Sequence, residues 1–436
     1  MLLGAIRLKR VVLLAVILSA GFSLICCGGG SGKSSTATHT SGLTERVFAS
    51  QSVSATPAFP EVVIINGEYD AIAKARPIGA GSSPGLMAIS PDRSVVLAFD
   101  SGSNSAYIVS SATESNTGSV ALGGPTTSMI AVSDSIAYAA VPTITVNGSA
   151  PGAVVEFNIA SGGVTYNMNV PNVQTVVANP SGTELLAFSG DSDSVTVLSP
   201  SEVDIGNPVT AVIPTCTRCR PVNAVFSPDG TTAYILNCGA ECSGAGVSAS
   251  VQALNMSSLT LGTAVPVDGA TIAYLNGSTL YVAGNSVTNN ACTGETTGAT
   301  TCGRLDMVDI NAMAVTGSIV ITDGTHDRID LSVNGQLFVG SYNCTNIGDV
   351  NDPQGEVRGC LTIFNTNNNA VIIPPDNGDV TGLQSFSSRD VEYVAEGGNL
   401  RVYDTLIDSL LLTEYIETGT IVIPGQVVDV KAVDFF

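Results

Sequence analysis

The sequence predicts an all-β fold made of repeated units of four antiparallel strands, and three observations lead to that prediction. The stretch Val222–Leu236 consists of two apolar segments joined by Ser227-Pro228-Asp229-Gly230. Proline holds φ at about −65° and glycine accepts a positive φ, so the stretch is predicted to be a β-hairpin. Weaker copies of this hairpin recur along most of the chain. Charged residues make up only 12% of the chain, which suits short strands joined by polar turns better than helices.

Seven such turns mark the repeat, and they follow one another at intervals of 42, 47, 48, 47, 58 and 54 residues. Their central residues are Asp92, Asp134, Ser181, Asp229, Asn276, Asn334 and Ser388. A second, a third and a short fourth strand are predicted after each turn; in the first unit they are Val95–Phe99, Ser105–Val109 and Ser119–Leu122. Four antiparallel strands in a period of about 45 residues are typical of a β-propeller blade.

The turns and second strands resemble the YVTN family of β-propeller repeats, within the wider group of lactonase-like and quinoprotein-like propellers. The matching residues are Ser227–Gly230 followed by Ala233-Tyr234-Ile235, and Ser90-Pro91-Asp92 followed by Val96-Leu97-Ala98. The third strand Leu305–Asp309 fits as well. The resemblance covers about residues 45–436. It implies the propeller fold and says little about activity.

The two ends of the chain are predicted to share one blade. Val427–Val433 is similar to a first strand, but no second strand follows it. Conversely, Arg46–Ser50, Glu61–Asn66 and Ala71–Ile78 look like second, third and fourth strands without a first. Pairing the two ends removes the exposed edges of an open ring. Seven internal units and this shared blade make eight blades; seven remains the alternative if the second or the seventh unit is not a blade.

Residues 1–26 are predicted to be a lipoprotein signal peptide. Three basic residues precede the apolar run Val11–Ile25, which is shorter than the about 20 residues of a membrane-spanning helix. The run ends in Leu24-Ile25-Cys26-Cys27, which resembles the lipobox of bacterial lipoproteins. This resemblance implies a lipid on Cys27, with Cys26 as an alternative anchor. An ordinary secretory signal or a short membrane anchor is the other interpretation.

Residues 27–43 are rich in glycine, serine and threonine and are predicted to be a flexible tether to the propeller, residues 44–436. We therefore expect a lipid-anchored, extracytoplasmic protein of the bacterial cell envelope. Gly28 follows the anchor, where resemblance to enterobacterial lipoproteins would require aspartate for inner-membrane retention, so the outer membrane is expected. The formal net charge of −21 would repel phosphate backbones, which excludes nucleic acid as a partner.

Eight cysteines follow the signal region, and in an exported chain an even number indicates disulfides. The repeat places all of them in connections that follow a fourth or a second strand, on one face of blades four to six. We call this side of the ring the cysteine face. Within their own loops we expect Cys292–Cys302 and Cys344–Cys360, worth about 2–4 kcal/mol each. Cys216 and Cys219 are expected to pair across to Cys238 and Cys242. Two local bridges are the alternative, and a zinc site formed by these four cysteines is a further, less favoured one.

Two other sets of residues are candidate sites. Asp349, Asn351, Asp352 and Glu356 supply oxygen ligands suited to calcium, but a solvated acidic loop is the favoured interpretation, so no cofactor is predicted and calcium is the alternative. A lactonase-like site would need acidic, arginine or histidine side chains at the channel mouth, and the segment with those residue types is Asp323–Arg328. Its histidine, His326, is one of only two in the chain, and a lone histidine in a polar loop is expected to be solvated. No acid–base pair or nucleophile motif is recognisable, so no catalytic residue is assigned.

The sequence favours a non-enzymatic binding module. A propeller is a rigid ring whose loops vary freely on one face, and binding residues are usually found on such loops. We expect the disulfide-linked loops to recognise a protein or a cell-surface polymer. The alternative is a lactonase-like or metal-dependent hydrolase with its site at the channel mouth. Convergence of Asp323, His326, Arg328 and Asp349 would favour the hydrolase, and scattered, solvated side chains would count against it.

Overall fold

A computed structural model describes residues 40–52, 60–201, 208–287, 302–344, 359–374, 378–386, 388–406, 417–421 and 426–434. These residues form an eight-bladed β-propeller of antiparallel sheets, which confirms both the predicted fold class and the predicted number of blades. No helix within these ranges is long and apolar enough to cross a membrane.

The strands are numbered in chain order, and the first four belong to the shared blade: β1 (Arg46–Ser52), β2 (Glu61–Asn66), β3 (Ala71–Ile72) and β4 (Ile78–Gly79). Blade 1 contains β5 (Pro84–Ile89), β6 (Val95–Asp100), β7 (Ser105–Ser110) and β8 (Ser115–Ala121). Blade 2 contains β9 (Ser128–Ala131), β10 (Ile136–Val141), β11 (Ala153–Asn158) and β12 (Gly163–Asn169). Blade 3 contains β13 (Val173–Ala178), β14 (Leu185–Ser189), β15 (Ser194–Leu198) and β16 (Val209–Pro214).

Blade 4 contains β17 (Pro221–Phe226), β18 (Thr232–Asn237), β19 (Ser250–Asn255) and a fourth strand in two pieces, β20 (Thr260–Leu261) and β21 (Val265–Pro266). Blade 5 contains β22 (Ile272–Asn276), β23 (Thr279–Ser286), β24 (Cys302–Asp309) and β25 (Ala314–Ile321). Blade 6 contains β26 (Thr325–Leu331), β27 (Gln336–Tyr342), β28 (Leu361–Asn365) and β29 (Val371–Ile372). Blade 7 contains β30 (Val380–Phe386), β31 (Val391–Glu396), β32 (Asn399–Asp404) and β33 (Glu417–Ile421). The last strand is β34 (Gln426–Ala432).

The ring closes as predicted. β34 pairs antiparallel with β1, with Val47 opposite Ala432, so blade 8 takes its first strand from one end of the chain and the others from the other end. A buried ion-pair network holds the two ends together. The side chain of Arg46 is 1% exposed, and it donates to both carboxylate oxygens of Asp434 at 2.5 and 2.6 Å and to Glu114 of blade 1 at 2.8 Å.

The repeated turns have a common hydrogen-bond pattern. Asp229 accepts hydrogen bonds from the Ser227 hydroxyl at 2.6 Å and from the Thr231 amide at 3.0 Å, while Gly230 adopts a φ of +71°. The first unit repeats this arrangement around Asp92, with Arg93 at a φ of +58° in place of the glycine. Side-chain oxygens therefore fix the turn, and the glycine is helpful rather than essential.

Burial changes from the axis of the ring outwards. Second strands such as β31 are buried at every residue, because each blade is covered on both sides by its neighbours. Fourth strands such as β8 are mostly exposed, and their sequences are correspondingly polar. The core therefore lies between the blades, in successive layers around the ring.

The first strands form the innermost ring. Each contacts the first strand of the next blade, and β34 contacts β5 to complete the circle, so these strands line the central channel. Six of the eight carry a bulge near their beginning, where the register against the second strand shifts. They run from the cysteine face towards the face that carries the turns between first and second strands.

The residues just before β1 are attached to the face opposite the cysteine face. Ser41 donates to Glu114 from its amide and from its hydroxyl, both at 2.5 Å, and the Thr40 hydroxyl donates to the carbonyl of Thr113 at 3.0 Å. Thr113 and Glu114 lie in the turn between β7 and β8, which is on that opposite face. The chain therefore reaches the propeller from this side.

Candidate functional site

The disulfides are local. The bridges Cys216–Cys219, Cys238–Cys242 and Cys344–Cys360 have Cα atoms 5.2, 5.6 and 5.5 Å apart. Cys302 is also disulfide-bonded, but Cys292, its predicted partner, lies outside the described residues. The bridges lie on the cysteine face, in the connections that the repeat predicts for them.

The preferred cross-pairing of Cys216 and Cys219 with Cys238 and Cys242 is wrong, and the structure has the two local bridges instead. Each bridge closes a turn that already brings its cysteines together. The Cys219 amide donates to the Cys216 carbonyl, and one turn of 3₁₀ helix, Gly239–Cys242, follows Cys238. These four sulfurs are therefore not free to bind zinc. The described ranges contain no cluster of three or more His, Cys, Asp or Glu side chains suited to a metal ion.

The predicted calcium ligands cannot be placed. Asp349, Asn351, Asp352 and Glu356 lie outside the described residues, as does Cys27, so calcium binding and lipidation stay predictions.

His326 is buried rather than solvated, which corrects the expectation for a lone histidine in a polar loop. The side chain is 1% exposed, and Nε2 lies 2.8 Å from the carbonyl oxygen of Thr322. Burial lowers the pKa of His326 to about 4, so the imidazole is neutral at pH 7. A carbonyl oxygen only accepts hydrogen bonds, so Nε2 carries the proton and Nδ1 is an acceptor.

The other residues of this segment do not complete a catalytic centre. Asp323 is buried beside His326, and its carbonyl accepts a hydrogen bond from the Ser341 hydroxyl at 2.7 Å. Arg328 faces the next blade, where it donates from Nε to the Thr381 carbonyl at 2.7 Å. The three side chains predicted at the channel mouth are therefore held within the fold, and they do not converge on one point.

A polar cluster that the sequence did not reveal lies beside them. Glu241, in the 3₁₀ turn closed by the Cys238–Cys242 bridge, accepts a hydrogen bond from Asn285 Nδ2 at 3.2 Å. Asn285, near the end of β23, also donates to the carbonyl of Gly324, two residues before His326. Burial raises the pKa of Glu241 to about 7, so this carboxyl group can both accept and donate hydrogen bonds near neutral pH.

Four side chains here share an unusual property. Glu241, Asn285, His326 and Asp327 each keep one buried polar atom without a hydrogen-bond partner: Oε2, Oδ1, Nδ1 and Oδ1, respectively. We call these four residues the mouth cluster. Buried polar atoms are nearly always paired, so several unpaired atoms near one face indicate that a hydrogen-bonding group from outside these residues is missing there. The only sequence signal for Glu241 was its position inside Cys238-x3-Cys242, which pointed to metal binding instead.

The channel wall is divided into an apolar and a polar half. At equivalent register positions, the first strands of blades 1–4 carry aliphatic residues and those of blades 5–8 carry polar ones. Seven of the eight are partly exposed, as expected for a channel lining, and the eighth, in blade 1, is 7% exposed. The aliphatic residues are Ala88, Ile130, Val177 and Val225; the polar residues, which we call the polar arc, are Tyr274, Asp330, Gln384 and Lys431.

Behind the polar arc lies a buried carboxyl pair, Asp330 with Glu392. Glu392 is fully buried, at the second position of β31, where blades 5 and 6 have the leucines Leu280 and Leu337. Neither oxygen of Glu392 has a hydrogen-bond partner, whereas those of Asp330 accept the amides of Leu331 at 2.8 Å and Ser385 at 2.7 Å. Burial, and then the charge of Asp330, raise the pKa of Glu392 well above its ordinary value.

Comparison with known proteins supports the fold and no closer relationship. No family model matches the chain, and no curated protein matches it. Among solved structures, the dihydro-heme d1 dehydrogenase NirN, in complex with DHE, matches with a TM-score of 0.59 and 11% identity, covering 90% of this chain and 75% of that one. The periplasmic gluconolactonase of Pseudomonas aeruginosa matches with a TM-score of 0.50 and 15% identity, covering 89% and 99%. At these identities the likeness shows the propeller fold alone.

Proposed function

We propose that this protein is a lipid-anchored, extracytoplasmic binding protein, built from YVTN-type repeats, that recognises a protein or a cell-surface polymer through its cysteine face. The observation that carries the proposal is the mouth cluster. Its four unpaired atoms lie on the face where the disulfides also lie, over blades 4–6. Crosslinked loops keep such a surface in one conformation, which lowers the entropy lost on binding.

The chemistry of the cluster indicates which groups it would recognise. Asn285 Oδ1, His326 Nδ1 and Asp327 Oδ1 are acceptors, and Glu241 can accept or donate because its pKa is about 7. A ligand that presents several hydrogen-bond donors, such as hydroxyl or amide N–H groups, would satisfy them. Sugars and peptide backbones both have these groups, in agreement with a polymer or a protein as the partner.

The attachment of the chain supports the use of this face. Ser41 and Thr40 are bound to the side opposite the cysteine face. A lipid on Cys27 would therefore tether the propeller by that opposite side and leave the cysteine face directed away from the membrane.

The proposal can be tested by photo-crosslinking in the bacterial host. A benzophenone amino acid would replace the exposed Thr217 on the cysteine face or, as the matched control in the same blade, the exposed Ser258 in the β19–β20 turn on the opposite face. We expect an adduct from position 217 that disappears when Asp327→Ala is added, and none from position 258. An adduct from position 258 alone, an adduct unaffected by Asp327→Ala, or none from either position would contradict the proposal.

An enzymatic role is tested separately with the purified protein. Hydrolysis of a sugar lactone that is lost in Glu241→Gln, and retained in a variant of the exposed Asp134, would replace binding by hydrolysis as the function of this face. We expect no turnover above the uncatalysed rate.

A further inference from the structure

The Asp330–Glu392 pair departs from the pattern of the propeller. The second position of a second strand faces the preceding blade and is apolar in the neighbouring blades, as Leu280 and Leu337 show. A carboxyl group at this position is desolvated, and it lies against a second carboxyl group of blade 6. Such an arrangement is unfavourable for folding and suggests a role outside the stability of the core.

The pair has no cation of its own. Lys431, the nearest base in the polar arc, lies 2.8 Å from Asp429 Oδ1, and Arg328 is paired with Asp327 at 3.0 Å. Within the described ranges no ion pair involves Asp330, and both oxygens of Glu392 lack a partner. A positively charged group is therefore the partner that the site lacks.

The kind of cation follows from the surroundings. A hard metal ion such as calcium requires six to eight oxygen ligands, and the described residues offer no cluster of three or more ligating side chains. An ammonium group needs only a few acceptors and also interacts favourably with an aromatic ring. Tyr274, the neighbour of Asp330 in the polar arc, provides such a ring, and the charges of Asp330 and Glu392 both act on its hydroxyl.

We propose that the Asp330–Glu392 pair, of which Asp330 is partly exposed to the channel, is a binding site for the primary ammonium group of an organic amine. The amine enters along the channel, its ammonium group binds Asp330, and the proton held by Glu392 is released to solvent. The aliphatic half of the channel wall, including Ile130 and Val177, is then available to the hydrocarbon part of the ligand. This site lies further along the channel than the mouth cluster and is independent of the binding proposed there.

Competition with that proton makes the affinity depend on pH. While Glu392 is protonated in the free protein, each unit of pH increase is expected to raise the affinity about tenfold, since binding releases one proton. Lys431 opposes binding by its positive charge, but its ion pair with Asp429 reduces this effect. The titratable or charged side chains that face the pair from neighbouring strands are Tyr274 of β22, Tyr403 of β32 and Lys431 of β34.

The experiment is calorimetric titration of the propeller with putrescine, and in parallel with a lysine-containing tripeptide, at pH 6, 7 and 8. Tetramethylammonium at equal ionic strength is the control ligand, because it is cationic and cannot donate hydrogen bonds. The variants are Glu392→Gln and Asp330→Asn, and the control variant is Asp134→Asn, which also removes one negative charge, from an exposed turn.

We expect saturable binding of one amine per chain that strengthens with pH, weakens at least tenfold in Glu392→Gln and Asp330→Asn, and is unchanged in Asp134→Asn. Binding of putrescine alone would identify a small diamine, and binding of the peptide alone a lysine side chain. The proposal is overturned if neither probe binds, if tetramethylammonium binds equally well, or if all three variants behave alike. Unfolding temperatures of the variants that are no lower than that of the parent would show that any loss of binding is not caused by misfolding.

Discussion

Replacing Glu392 with glutamine is expected to remove a pH-dependent loss of stability. In the unfolded chain this carboxyl group ionises near pH 4.5, whereas in the folded protein burial and Asp330 raise its pKa well above that value. Between the two pKa values the folded state binds one proton more than the unfolded state. The free energy of unfolding therefore falls as pH rises, and it falls until the pH passes the folded pKa.

The size of the effect follows from the linkage relation. Each pH unit in this window corresponds to about 1.4 kcal/mol of stability lost by the parent protein through this group. Glutamine does not titrate, and it is close to glutamate in size and shape. The variant and the parent should therefore be similar in stability below pH 4.5. Above it the variant should become the more stable, by about 1.4 kcal/mol for each pH unit within the window.

Urea unfolding between pH 4 and pH 7 measures this difference directly. The midpoint of unfolding should separate steadily between parent and Glu392→Gln, with equal dependence on urea concentration. Asp134→Asn, which removes an exposed carboxyl group, serves as the control and should follow the parent. Parallel curves for the parent and Glu392→Gln over the whole range would refute the raised pKa of Glu392.

Three further outcomes are expected. Arg46→Met should lower the free energy of unfolding by about 3–5 kcal/mol, because it leaves the buried Glu114 carboxylate without its arginine partner. A loss below about 1 kcal/mol in urea unfolding would show that this ion-pair network does not stabilise the closed ring. Gly152→Ala should destabilise the protein by at least about 2 kcal/mol in the same assay, because Gly152 has a φ of +134° and an added Cβ would lie against the Val170 carbonyl oxygen. The control Gly79→Ala, with open space at its Cβ, should change stability by less than about 1 kcal/mol. Equal effects of the two substitutions would contradict this reasoning. The His326 pKa of about 4 lies below the ordinary 6.5, so the contribution of this group to stability should fall as pH decreases from 6.5 towards 4, by about 1.4 kcal/mol per unit and opposite in sign to the contribution of Glu392. The imidazole NMR signals of His326 should not titrate between pH 5.5 and pH 8, and a midpoint near 6.5 would show that His326 is solvated.

The fold was predictable because its signals are local and repeated. Each turn carries its own side-chain hydrogen bonds, as around Asp229, and each second strand is a short apolar run. The closure of the ring was also predictable, since an unpaired first strand at Val427 and three strands without a first at Arg46 complement each other. Seven or eight weak matches along one chain support one another, although each is ambiguous by itself.

The candidate sites were less predictable because they arise between blades. Glu241 and Asn285 meet across two blades, and the two residues are 44 positions apart in the chain. The disulfide pairing failed for a related reason, since spacing alone does not distinguish a bridge within the 3₁₀ turn at Cys238 from one across to Cys216. Glu392 did leave a signal: when the second strands are aligned by register, it is a carboxylate in a column that is aliphatic in blades 5 and 6.

The shared blade has a consequence for the order of assembly. Seven blades are made of strands that follow one another in the chain, so each can form as soon as its own segment is available. Blade 8 instead requires Arg46 and Asp434, 388 residues apart, to meet. Contacts between distant segments form slowly, and closure is therefore expected to be the last and slowest step of folding. Until then two strand edges are exposed, and a chain whose ring has not yet closed is vulnerable to proteases and to aggregation at those edges.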